Sequence, residues 1–232
     1  MRTSFWRRLL DVISPRSCIV CGRRLSVNEQ ALCAACHLHL PFTHYEQQPL
    51  DNPMARLFWG QFPVERVAAL FFYEPSSKLS HIIYDMKYHG RSDACVAMGE
   101  IAARHFDRTG FFQGIDAIIP MPITKRRQWQ RGYNQSMELA RGVAVVTSLP
   151  IWGKVVRRTH FKQSQTTQHA YERQLNVEDA FLLVDANKIA GRHLLLIDDI
   201  VTTGATITAC ARQLCKAPGV SVSILAIGMT KS

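Results

Sequence analysis

Several features of well-known protein classes are missing from this sequence of 232 residues. No apolar run approaches the roughly 20 residues that a membrane-spanning helix needs. The P-loop motif of nucleotide-binding proteins, G-x-x-x-x-G-K-S/T, does not occur. Residues 1–13 form a short amphipathic pattern without the continuous apolar stretch and small-residue cleavage site of a signal peptide. We therefore expect a cytoplasmic protein without a membrane span.

Acidic residues are in the minority, since 28 Lys and Arg stand against 18 Asp and Glu and give a net charge of +10. Such an excess suits phosphates, nucleic acid or an acidic partner, and it does not choose between them. A generally basic surface is the plain alternative. Apolar residues make up 47% of the chain, and no internal repeat is visible. We therefore predict one ordinary domain with a core of its own and a small appendage.

Cysteine is scarce except near the start of the chain, where four of the seven cysteines form two C-x-x-C pairs. The pairs are Cys18 with Cys21 and Cys33 with Cys36. Each pair offers two thiolates from one tight turn, which is the ligand spacing of a tetrahedral zinc site. Disulfides are a poor explanation in a cytoplasmic protein. His37 and His39 lie close by, but four cysteines already complete the site. We predict a structural Zn²⁺ that stabilises a small module.

The stretch from His193 to Thr206 holds the most informative motif of the chain. An apolar run leads into Asp198 and Asp199, and a loop rich in Thr and Gly follows, before apolar residues at helical spacing. This order predicts a buried strand, two carboxylates at its end and a loop that opens a helix. Backbone N–H groups and Thr hydroxyls of such a loop bind anions, whereas the carboxylates suit sugar hydroxyls or Mg²⁺. The alternative is a strand that ends in a solvated Asp-Asp turn.

This motif resembles the signature of the type I phosphoribosyltransferases, which bind 5-phosphoribosyl pyrophosphate (PRPP) together with Mg²⁺. The resemblance implies that Asp198 and Asp199 hold the 2- and 3-hydroxyls of the ribose. It also implies a loop for the 5-phosphate, made of Thr202, Thr203, Gly204, Ala205 and Thr206.

Two further segments fit the rest of a PRPP site. A predicted strand at 116–121 runs into a Pro-x-Pro exit similar to that of the amidophosphoribosyltransferases, and basic residues follow. We expect a pyrophosphate loop there, with Pro120, Met121, Pro122, Arg126, Arg127 and Arg131 as its candidate residues. The alternative is a solvated basic loop. Between a short strand at 154–156 and the central strand we expect a lid that excludes water, carrying Arg158, Gln165, Thr166 and Arg173.

Strand patterns alternate with helix patterns from residue 64 onward, which predicts an α/β fold with a parallel sheet and helices on both faces. The expected strands are 67–73, 116–121, 154–156, 193–198 and 220–227. One expected helix begins after Ser76 or Ser77, and two more cover 93–106 and 134–146. We predict an N-terminal helix and four-cysteine zinc module at 1–43, a connecting segment at 44–63 and a type I phosphoribosyltransferase-like domain at 64–232.

Taken in chain order, these motifs resemble the ComF competence family. The resemblance rests on the four cysteines, Met86-Lys87-Tyr88-x-Gly90, Pro120-x-Pro122, Arg131-Gly132-Tyr133-Asn134-Gln135, Gln165-Thr166 and the Asp198-Asp199 motif. It implies a zinc module joined to a phosphoribosyltransferase domain, and a role in natural transformation, the uptake and handling of single-stranded DNA. A helicase-like competence protein is the implied partner. The resemblance does not settle the chemical reaction.

Three functions fit these motifs. One is transfer of the ribose-5-phosphate group of PRPP to a nitrogen nucleophile, although no residue stands out as a base. The alternative is a non-catalytic module for single-stranded DNA or a partner, because Trp129 and Tyr133 lie among the basic residues after the second strand. Nucleobase salvage is a third, disfavoured by the zinc module and the lack of base-selecting features. The sequence leaves the acceptor, direct DNA contact and the oligomeric state open.

Overall fold

The computed structural model describes residues 16–77, 79–88, 90–159 and 180–230. The amphipathic pattern at 1–13 and most of the expected lid fall outside these ranges, so both stay predictions. The strands are β1 Val64–Tyr73, β2 Ala117–Pro120, β3 Val156–Arg158, β4 Phe181–Leu183, β5 His193–Val201 and β6 Ser221–Thr230. The helices are α1 Ala34–Leu38, α2 Pro53–Arg56, α3 Ser80–Tyr88, α4 Ser92–Asp107, α5 Lys125–Arg131, α6 Gln135–Thr147, α7 Ala186–Ile189 and α8 Ala205–Leu214, with a short 3-10 helix at Tyr45–Gln47.

Four strands form one sheet in the order β1-β6-β5-β2, and every neighbouring pair is parallel. Side chains of successive strand residues point to opposite faces, so the apolar run of β5 supplies both. Leu195 and Ile197 pack with α3, α4 and α6 on one face. Leu194 and Leu196 pack with α2 and α8 on the other. The predicted parallel sheet with helices on both faces is confirmed, and its continuous apolar strands follow from burial on both sides.

Helices α4 and α6 cross without intervening side chains because each has a glycine at the crossing. A Cβ on Gly99 would overlap the Leu139 carbonyl oxygen, and one on Gly142 would overlap that of Val96. This close approach fixes α6, whose N-terminus faces the carboxyl end of β5.

Two expectations about secondary structure are wrong. The short strand begins at Val156 and not at residue 154, and it pairs with β4 in a separate two-stranded antiparallel sheet. The segment Phe181–Leu183 was not expected to be a strand, because three residues are too few to show a periodicity. The expected connecting segment is also more ordered than its polar sequence suggests. The Asn52 side chain caps α2, accepting from the Ala55 N–H at 2.9 Å, and both Met54 and Phe58 are fully buried.

Within the described residues, no helix is both long enough and apolar enough to cross a membrane. The division into 1–43, 44–63 and 64–232 stays a prediction.

Candidate functional site

The paired carboxylates lie at the carboxyl end of β5, on the edge of the sheet where ligands of open parallel sheets bind. Asp198 is half-buried, and its Oδ1 accepts a hydrogen bond from the Ser136 hydroxyl at 3.1 Å. Its own neighbour, the Asp199 backbone N–H, donates to the same oxygen at 2.9 Å. Asp199 is buried, and its Oδ2 lies 3.2 Å from the Lys87 ammonium. The two carboxylates are therefore held by α6 and α3 respectively.

Their electrostatic environments differ. Burial and repulsion from Asp199 raise the pKa of Asp198 to about 7, against the opposing effect of the hydrogen bonds from Asp199 and Ser136. Lys87 neutralises Asp199 at close range but acts on Asp198 only weakly. Asp198 is thus the carboxylate that gains most from a further hydroxyl donor or cation, because either would stabilise its ionised form.

The predicted phosphate loop follows β5 directly and leads into α8. Thr202 and Thr203 are exposed, and the Thr203 hydroxyl accepts from the Ala205 N–H at 3.5 Å. A cavity of about 50 Å³ is enclosed by the loop and the end of the strand, with Asp198 at one side and Thr206 at the other. Exposed hydroxyls beside the first turn of a ten-residue helix are groups that suit an anion, and the assignment of this loop to the 5-phosphate stays a prediction.

Gly204 is required by the geometry of this loop for two reasons. Its φ is +76°, in the left-handed region that favours glycine. A Cβ at this position would also lie 2.8 Å from Cε1 of Phe58, a ring that is completely buried beneath the loop. A residue of the predicted connecting segment, 44–63, therefore supports the floor of the candidate phosphate site.

The predicted pyrophosphate loop is shorter than expected, because its basic residues form the helix α5. Pro120 ends β2, and Met121 is buried, with its N–H donating to the Ile197 carbonyl at 2.9 Å. Thr124 then caps the helix by accepting from the Arg127 N–H at 3.3 Å, and Gly132 ends it with a φ of +79°. The expected loop is helical instead from Lys125 to Arg131, because a cap and a left-handed glycine delimit a helix of seven residues. The assignment of its arginines to pyrophosphate stays a prediction.

The basic residues of α5 consequently point in several directions. Arg126 and Arg127 are exposed, whereas Arg131 donates to the Gln135 side-chain oxygen at 2.8 Å and lies over the Tyr88 ring. Trp129 is 86% exposed, and none of the helix residues is buried. Arg131 thus has a structural partner, while the other two arginines present their charge to solvent.

A large cavity of about 940 Å³ opens beside this helix, between the end of β2, α6 and β3. Of the predicted site residues, the cavity is lined by Pro120, Pro122 and Arg158. Burial and the nearby charge of Arg127 lower the pKa of Arg158, while Asp198 acts in the opposite direction. Arg158 is therefore close enough to Arg127 and to Asp198 for both charges to affect it. Gln165, Thr166 and Arg173 lie outside the described residues.

The four cysteines converge as predicted, with their sulfur atoms all within 4.8 Å of one another. Backbone N–H groups point at the sulfurs: Cys33 donates to the Cys18 Sγ and Cys36 donates to the Cys33 Sγ, both at 3.4 Å. Burial alone would raise the pKa of Cys18, but N–H groups of Cys33, Cys21 and Val20 outweigh it and lower the pKa to about 7. This donor set fits a structural zinc ion, which binds thiolates. His37 and His39 are not part of the cluster.

The structure adds two residues that the sequence reasoning did not place in the site, Lys87 and Ser136. Both belong to stretches with visible signals, Met86-Lys87-Tyr88-x-Gly90 and the segment directly after Asn134-Gln135. Neither stretch follows a strand, so their approach to Asp198 and Asp199 depends on how α3 and α6 pack against the sheet.

The chain is similar over most of its length to curated bacterial proteins. It is 30% identical over 210 residues to the DNA utilization protein YhgH of Shigella flexneri, covering 89% of this chain and 87% of that protein. It is 28% identical over 214 residues to competence protein F of Haemophilus influenzae, covering 86% of this chain and 90% of the relative. It is also 34% identical over 97 residues to the competence protein ComFC of Bacillus subtilis, covering 42% of this chain and 37% of that protein.

Among solved structures, the glutamine PRPP amidotransferase of B. subtilis matches 60% of this chain and 30% of its own, with 18% identity and a TM-score of 0.42. A comparison with models of protein families found no match.

Proposed function

This chain belongs to the ComF competence family, and we propose that it binds PRPP with Mg²⁺ in support of DNA uptake during natural transformation. Its relatives are named for competence and for DNA utilization. The observation that carries the PRPP proposal is the half-buried Asp198 carboxylate, whose pKa is raised to about 7, beside a loop of exposed Thr hydroxyls and a left-handed Gly204. We also propose that the protein acts in the cytoplasm.

The proposed binding mode assigns each part of PRPP to groups of opposite or complementary character. Ribose hydroxyls donate to Asp198, which stabilises its ionised form and lowers its pKa. The 5-phosphate accepts from backbone N–H groups and hydroxyls of the loop from Thr202 to Thr206, where the dipole of α8 adds to the attraction. Asp199 is already paired with Lys87, so its role in this mode is to hold that ammonium near the sugar.

The pyrophosphate of PRPP would lie toward the large cavity, where several basic side chains line the wall. Lys125, Arg157 and Arg158 line that cavity, and Arg127 lies close enough to Arg158 to lower its pKa. Mg²⁺, when bound, would neutralise the charge of the leaving pyrophosphate. If the protein is a transferase, a nitrogen–carbon bond forms at C1 of the ribose as the carbon–oxygen bond to pyrophosphate breaks. The chain's contribution is to position the sugar and stabilise charge.

We test PRPP binding by calorimetric titration with Mg²⁺ into the wild type and three variants. Asp198→Asn keeps the shape of the side chain and its hydrogen bond to Ser136 but removes the charge, and we expect at least about tenfold weaker binding. Gly204→Ala places a Cβ against Phe58 and should weaken binding similarly. Asp107→Asn removes the same charge from the exposed end of α4 and serves as the matched control. Equal affinity of all four proteins, or no binding by folded wild type, would contradict the proposal.

A second candidate function, binding of single-stranded DNA, is favoured by α5. Trp129 stands 86% exposed among basic residues, and an aromatic ring on a basic surface is what base stacking requires. Binding of a labelled oligonucleotide should weaken steeply with salt, and Trp129→Ala should reduce the affinity about tenfold or more. Trp59→Ala, at a half-exposed tryptophan near Arg56, is the control. Salt-independent binding, or equal loss in both variants, would count against this function.

A further inference from the structure

A second group of potential metal ligands lies outside both the cysteine module and the PRPP site. It consists of His44, Glu46 and His105, whose ligand atoms all lie within 4.8 Å of one another. We propose that these three residues form a second metal site, for a divalent first-row cation of the zinc class. The proposal is independent of PRPP binding.

The three side chains come from two elements that are far apart in sequence. Glu46 lies in the 3-10 helix Tyr45–Gln47, directly after His44, whereas His105 lies in the last turn of α4. Glu46 Oε1 is 2.9 Å from the His105 Nε2 and 3.6 Å from the His44 Nδ1. Ligand atoms bound at about 2.1 Å in a tetrahedron are roughly 3.4 Å apart, so Glu46 and His105 would have to separate by about half an ångström to accommodate a cation.

The strongest indication is the other oxygen of the same carboxylate. The Glu46 side chain is only 4% exposed, yet in the described part of the chain no hydrogen-bond donor reaches its Oε2. A buried acceptor without a partner costs about 1–3 kcal/mol and is rare in folded proteins. A cation held by the two imidazoles and by both oxygens of this carboxylate would satisfy Oε2 as well as Oε1.

The two histidines are oriented for such a role in different ways. The His105 ring stacks on Phe42, with ring centroids 4.7 Å apart and planes at 6°, so its direction is fixed. His44 is 57% exposed at its side chain and gives the cation an entry path. It also adopts a φ of +56°, and a positive φ is uncommon for a residue other than glycine. This backbone conformation belongs to the turn that brings His44 and Glu46 to the same side.

The donor set decides the class of metal. Two imidazoles and one carboxylate suit zinc and its first-row neighbours, and three protein ligands leave a position open for water. The cysteine module is different, because four thiolates close its site. Binding at the second site would fasten residues 44–46 to α4, next to the point where Phe42 bridges to Phe71 of β1.

The competing explanation is a buried ion pair between Glu46 and a protonated His105, and metal titration separates the two. Protein whose cysteines carry zinc is titrated with Co²⁺, and bound cobalt is followed by absorption. We expect one further equivalent, with weak d–d bands and no thiolate-to-cobalt charge transfer. Because a ligand that binds only the folded state stabilises it, the unfolding temperature should rise as well.

Glu46→Gln and His105→Gln should each weaken the additional cobalt binding at least about tenfold, while His81→Gln, at an exposed histidine of α3, should leave it unchanged. His44→Asn guards against misfolding, since His44 is largely exposed and Asn tolerates its left-handed backbone. Circular dichroism and retained zinc confirm that each variant is folded. The proposal is overturned if cobalt enters only by displacing zinc from the cysteines, or if the extra equivalent persists in both Glu46→Gln and His44→Asn.

Discussion

The cysteine module and the parallel sheet obtain their stability in different ways. Helix α1, which carries Cys36, has no buried residue, and the module's order depends on sulfurs that converge from two short turns. Strand β6, in contrast, is buried along eight consecutive positions between two layers of helices. We expect a segment too short to enclose a core to need a metal, whereas a strand inside a two-sided core is held by apolar burial and by hydrogen bonds to both neighbouring strands.

The module is nevertheless attached to the sheet domain by the same apolar core. Ile19, Leu32 and Leu40 are buried within the cluster that includes α4 and one face of the sheet. The Gln30 amide also donates to Glu100 of α4 at 3.1 Å. The difference between the regions therefore concerns what keeps each one folded, and three predictions test it.

Removal of zinc should have the largest effect, and it should be confined to the module. Structural zinc contributes roughly 10–16 kcal/mol of binding free energy in isolated zinc-finger peptides. We expect chelation, or Cys18→Ser, to abolish amide-exchange protection around residues 18–36 while β5 stays protected. Cys215→Ser changes a half-buried cysteine outside the cluster and is the control. Loss of protection throughout the sheet would show that the two regions fold as one unit.

Truncation of a side chain in the core of the sheet should have the next largest effect, and it should destabilise the sheet while the cysteine module keeps its zinc. Leu196 is fully buried, so Leu196→Ala should lower the free energy of unfolding by about 2–5 kcal/mol. Leu182→Ala, at a 42% exposed position of β4, should change it by less than about 1 kcal/mol. Denaturant unfolding measures both, and zinc content should be unchanged. Release of zinc by Leu196→Ala under native conditions would contradict the division of roles.

The last prediction concerns pH and separates the ligand site from both regions. The pKa of Asp198 is about 7 in the folded protein, above its ordinary value of 3.8. Between these values the folded chain keeps a proton that the unfolded chain releases, so stability falls as the pH rises from about 4 to about 7. Asp198→Asn cannot ionise, and the stability difference between variant and wild type should grow in the variant's favour over that range. Denaturant unfolding at several pH values, without PRPP, tests this. A constant difference would mean that the carboxylate is not perturbed.

Local sequence patterns were sufficient to predict those parts of the molecule that are built from residues close together in the chain. The four cysteines and the order strand, Asp pair, Thr-rich loop and helix at 193–214 are visible in the sequence, because spacing and periodicity encode them. Local signals also existed for α5, where Thr124 and Gly132 mark both ends, but the Pro-x-Pro exit after a strand and the basic residues that follow it were interpreted as a loop. That interpretation left the capping residues out of account.

Other features had no local signal. The partners of the two carboxylates, Ser136 and Lys87, come from helices that only packing brings to the end of β5. Phe58, whose ring lies against Gly204, belongs to a segment whose polar sequence predicts only a connection.

By itself, the sequence determined the fold class, the four cysteines that converge and the position of the candidate PRPP motif, because each is encoded by the spacing of residues that are close in the chain. Only the tertiary structure decided which carboxylate is paired, which arginines face solvent and where His44, Glu46 and His105 meet. Those outcomes depend on the register of parallel strands and the crossing of helices, and both bring together residues that no local pattern connects.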